Sequence, residues 1–169
     1  TLTVTLIHEI LHIFGLIGIN IDDTTTAENV IINDRTYVWK FYVGGAGITQ
    51  YKNLLNNLKQ LHSNDSYDFN YSITNTIITN LEINTIDNLK YILLEDDFGE
   101  GTVYVHLEEG INYDYTLEPK NTLQDGEPIH YPSIMNEITT GFQNEITYLT
   151  RITLGMLEDL DFTINYSKL

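Results

Sequence analysis

Apolar residues fill nearly every position from 2 to 17, interrupted only by Thr3, Thr5, His8, Glu9, His12 and Gly15. That density predicts a helix buried on most sides, and Gly15 and Gly18 suit the left-handed conformation that ends one, so the helix should stop near Phe14. Residues 20–29 are polar and read as a loop, whereas 30–32 and 37–43 carry the β-branched and aromatic residues of strands. Gly44, Gly45 and Gly47 break that pattern. Ile48, Tyr51, Leu54, Leu55, Leu58 and Leu61 then recur at helical spacing, which predicts a second helix over 46–61. Residues 62–88 show no period and read as loops and short strands, an insertion. A short strand is expected over 101–106, and an extended loop over 113–131, where Pro119, Gly126 and Pro128 fall. Ile152, Met156, Leu157 and Leu160 mark a closing helix, followed by an extended tail over 162–166. The whole reads as α+β, with the first helix packed against the closing one and loop-rich material between them.

Charge and composition narrow the classes of function. The 169 residues carry 24 acidic against 8 basic side chains, a formal charge of −16, which repels a nucleic-acid backbone. No apolar run reaches the roughly 18–20 residues that span a bilayer, so no transmembrane segment is expected in this chain. The absence of cysteine excludes disulfides and thiolate metal sites without identifying a compartment. Because the chain starts with Thr1 and its strongest motif follows within ten residues, it reads as a fragment or processed chain.

That motif is HEILH, His8 to His12. Two histidines four residues apart project from one face of a helix and can share one tetrahedral ion, for which neutral imidazole and Zn2+ are well matched. Glu9, rotated by about 100° from His8, can reach a water beside the ion without displacing it, and is the candidate general base. Three ionisable groups on an otherwise apolar helix would carry a large desolvation cost unless a metal or a partner satisfied them.

The longer stretch HEILHIFG, residues 8–15, resembles the metzincin zinc peptidases, whose helix ends at a glycine three residues after the second histidine. In most metzincins the third ligand follows three residues later, where this chain has Gly18; the leishmanolysin family instead places a long insertion before its third histidine. Four further blocks resemble that family: YVGGAGITQYKNLL (42–55), GEGTVYVHLEE (99–109), IMNEITTGF (134–142) and ITLGMLEDLDFTINY (152–166). The resemblance implies the C-terminal portion of a metzincin-like catalytic domain. Its parts would be a zinc helix over 1–18, an insertion over 19–98, and a segment over 99–169 with the third ligand, a methionine turn at Met135 and the closing helix. The family's upstream β-sheet would lie outside this chain. It also implies Zn2+ as cofactor, a peptide or protein as substrate, and an extracellular or surface location.

Three histidines compete for the third ligand position. His62 sits in a Ser-Asn-Asp loop and reads as solvated. His106 ends a strand and matches the family block, and a strand end holds fixed geometry better than a loop. His130, five residues before Met135, stays open as the alternative. Glu95, Asp96, Asp97, Glu108 and Glu109 form acidic clusters that read as solvated surface, lacking the spacing of a calcium loop. Two functions follow: a zinc endopeptidase with Glu9 as base, or a catalytically silent zinc-stabilised structural or binding module of a larger assembly.

Overall fold

The computed structural model describes residues 2–16, 24–32, 35–61, 86–95, 106–107, 117–119, 132–134, 137–141 and 147–168. Helices and small antiparallel sheets combine in an α+β arrangement. Helix α1 (Leu2–Ile13) is followed by strands β1 (Thr25–Ile32) and β2 (Arg35–Tyr42), helix α2 (Gly45–Leu61), strands β3 (Ile92–Leu93), β4 (Leu117–Pro119) and β5 (Pro132–Ile134), and helix α3 (Arg151–Asp159). Short 3₁₀ turns occupy Ile86–Asn88 and Tyr166–Lys168. No described helix is long and apolar enough to cross a membrane.

The main sheet has the order β1-β2-β3, with β1 and β2 antiparallel from Thr25 opposite Tyr42 to Ile32 opposite Arg35. Residues 25–29, expected as loop, therefore belong to a strand: paired with β2 along their length, their polar side chains need no burial of their own. Alternation along β2 sends Trp39 and Phe41 to one face and Tyr42 to the other. Trp39 stands 6.2 Å from Phe41, which stands 5.0 Å from Tyr91, while Tyr42 joins Ile48, Tyr51, Leu55, Leu94, Ile152 and Met156 in the main core. Beyond β3 the pairing continues as single bridges, Leu94 to Leu107 and Leu107 to Thr140, which fasten distant stretches of chain side by side. A second small sheet pairs β4 with β5, where an extended loop was expected up to residue 131.

Helix α3 packs chiefly on α2, where packing against the first helix was expected. Gly155 explains the closeness: a Cβ there would lie 2.7 Å from the Ala46 carbonyl oxygen and 2.9 Å from Gly47 Cα. Asp159 locks the same junction, its Oδ1 accepting from Ala46 N–H at 2.8 Å and its Oδ2 from Gly47 N–H at 2.8 Å and the Tyr42 hydroxyl at 2.6 Å. A carboxylate at the start of α2 satisfies amides that lack helical partners. Burial, with the hydrogen bond to Asp159, raises the Tyr42 phenol well above its ordinary range. Gly155→Ala should accordingly force α2 and α3 apart and cost about 1–3 kcal/mol, read as a lower urea midpoint at unchanged slope.

Candidate metal centre

Helix α1 is less buried than its apolar sequence suggested. Leu2 and Ile13 are 86% and 80% exposed, and within the helix only His8 and Leu11 are buried. Its end is nevertheless fixed. Gly15 adopts φ 82°, its N–H donates to the His12 carbonyl at 2.9 Å, and the Leu16 N–H donates to the Leu11 carbonyl at 3.0 Å. This is a Schellman ending, in which the two bracketing leucines, Leu11 and Leu16, are both buried in the main core. The C-terminal turn, and His12 with it, is thereby pinned to the molecule while the outer face stays open.

His106 arrives from far along the chain. The bridge between Leu94 and Leu107 places Glu95 opposite His106, and the Glu95 N–H donates to the His106 carbonyl at 2.9 Å. On the other side the Leu107 N–H donates to the Thr139 carbonyl at 3.0 Å. Held between these two neighbours, His106 is buried, as is His8; His12 is half-buried. Glu95 is fully buried, contrary to the solvated reading of its acidic cluster, because it is an inner residue of this paired stretch. Asp96, Asp97, Glu108 and Glu109 lie outside the described residues, as do His62, His130, Met135 and the strand expected over 101–105.

The three Nε2 atoms converge. His8 and His12 stand 3.0 Å apart, His12 and His106 3.1 Å, and His8 and His106 3.2 Å. The His8 and His106 rings are nearly parallel at 8°, with His12 perpendicular to both. The far side of His8 is also specified: its Nδ1 lies 2.6 Å from the Ile138 carbonyl oxygen. A carbonyl only accepts, so Nδ1 carries the proton and Nε2 presents a lone pair to the other two rings.

Such a triangle cannot be satisfied by hydrogen bonds alone. A ring nitrogen either donates or accepts, so among three in mutual contact at least one pair is donor against donor or lone pair against lone pair. One cation accepting all three lone pairs removes the conflict. Nitrogens of a tetrahedral zinc site stand about 3.3–3.4 Å apart at Zn–N of about 2.0–2.1 Å, close to the observed edges. The donor set therefore fits a metal ion, with His8, His12 and His106 each offering one ligand atom among the described residues. Glu9 is exposed on α1, beside His8 in sequence.

One participant was not foreseen from sequence, the Ile138 carbonyl, although the turn that carries it, residues 137–140, lies within the 134–142 resemblance block. A carbonyl is common to every residue, so no side-chain pattern could mark this one. Comparison with protein-family models, curated proteins and solved structures returns no match to this chain, and the site stands on its geometry and donor chemistry.

Proposed function

We propose that this chain carries the active site of a zinc-dependent endopeptidase of the leishmanolysin-like metzincin type, with His8, His12 and His106 as ligands and Glu9 as general base. The observation that carries this reading is the convergence of three Nε2 atoms within 3.2 Å of one another, one of them fixed as a lone-pair donor by Ile138. A bound zinc ion supplies Lewis acidity, polarising the scissile carbonyl and lowering the pKa of water to about 7. Glu9 withdraws a proton from the attacking water and returns it to the leaving amine, ending the cycle ionised as it began. Its exposure leaves that carboxylate free to meet both water and substrate. The imidazoles are neutral as ligands, and the His8 Nδ1–H bond both orients the ring and raises its basicity. The net charge of −16 favours cationic peptides as substrates.

The full-length protein that contains this chain is expected to hold about one zinc ion at this site and to cleave a mixed peptide library. A chelator should abolish cleavage and added zinc should restore it, with products followed by mass spectrometry. Stoichiometric zinc without cleavage of any peptide would replace this reading with the silent zinc-stabilised module. Failure to bind zinc would remove both.

A further inference from the structure

Glu137 is fully buried and sits in the turn that supports two of the three histidines. Its Oε2 accepts from the Thr139 N–H at 2.6 Å and from the Thr139 hydroxyl. Its Oε1 accepts from the Thr150 hydroxyl at 2.9 Å, the Thr150 N–H at 3.3 Å and the Thr153 hydroxyl. Thr150 is the N-cap of α3, where its own oxygen accepts from Ile152 N–H, and the amino end of a helix favours a carboxylate. One face of the turn is thus tied to α3. The other face meets the histidines: the Ile138 carbonyl accepts from His8, and the Thr139 carbonyl accepts from Leu107, next to His106.

A carboxylate withdrawn from water is costly unless its oxygens are well provided with donors. Five donors converge here on two oxygens, so the carboxylate is well satisfied. Their consequence is positional, because they fix the two carbonyls from which the ligands take their orientation. We propose that Glu137 is a positioning residue of the metal centre, holding the 137–140 turn against α3 so that Ile138 keeps His8 aimed and Thr139 keeps the His106 strand in place. The inference rests on the metal-binding reading above. It assigns Glu137 no contact with substrate or ion.

Glu137→Gln is nearly isosteric yet poorly tolerated by this geometry. Whichever oxygen the amide NH2 replaces, it meets a backbone N–H, of Thr139 or Thr150, that can only donate. The test titrates cobalt(II) and zinc into the full chain, wild type and variants, with the visible cobalt spectrum reporting ligand geometry and urea unfolding of the metal-free form reporting stability. For Glu137→Gln the metal Kd should rise about 10–100-fold, the scale of changes to groups that orient ligands, with an altered cobalt spectrum. Thr153→Val, which removes one donor of five, should give a smaller rise in Kd and serves as the deciding variant if Glu137→Gln does not fold. Variants that bind with wild-type affinity and spectrum, losing only urea resistance, would overturn the proposal and leave Glu137 merely structural. A wild-type chain that binds neither metal would overturn the metal-binding reading itself, a result distinguishable from failure of the positioning role alone.

Discussion

His106→Ala should cost the chain its metal, with the zinc Kd rising more than about 100-fold, since even groups that only orient ligands are worth about 10–100-fold. His8 and His12 come from one turn of α1, and two imidazoles alone leave half of a tetrahedral shell to water. His106 closes the triangle from 94 residues beyond His12, at 3.1 Å. Its loss also removes a buried ring, so the apo protein should lose stability as well. His130→Ala is the matched control and should retain zinc. Equilibrium dialysis of the two variants side by side separates the alternatives, because metal retained by His106→Ala and lost by His130→Ala would reassign the third ligand.

Glu9→Gln should leave metal binding intact and lower kcat/KM by about 10²–10⁴-fold, the usual contribution of general acid–base catalysis. Glutamine keeps the shape of the side chain but cannot take a proton from water. Glu9 lies on the exposed side of α1 and is not among the three converging donors, so zinc content and folding should match wild type. A variant with full zinc and unchanged turnover would remove Glu9 from the mechanism while leaving the metal centre standing.

The parts of this site that could be read from sequence are those governed by short-range periodicity. His8 and His12 share a face because an α-helix turns once in 3.6 residues, and Gly15 marks the end of that helix because a positive φ favours glycine. His106 was legible as a candidate through its strand setting and its resemblance block, though spacing alone left His130 beside it. The Ile138 carbonyl and the Glu137 anchor were not legible, since both act through backbone groups brought together by pairings between residues far apart in the chain.

The same distinction runs through the fold. Helix α2 was visible from its leucine spacing, but the choice of α2 as the partner of α3 depends on Gly155 facing Ala46 and Gly47, a relation between helices that neither sequence announces. Strand β1 was partly read as loop because Thr25 to Asn29 are polar or small, and half-exposed edge strands accept such residues. On α1 the apolar sequence suggested burial on most sides, whereas Leu2, Leu6 and Ile13 remain exposed among the described residues. Hydrophobicity reports the preference of a side chain, and only the packed neighbours decide whether it is met.

X-ray absorption at the zinc edge of the metal-loaded chain counts the ligands and measures their distances together. Three imidazole nitrogens at about 2.0–2.1 Å with one oxygen donor is the result expected. A shell with two imidazoles or fewer, or no stoichiometric zinc to measure, would contradict it.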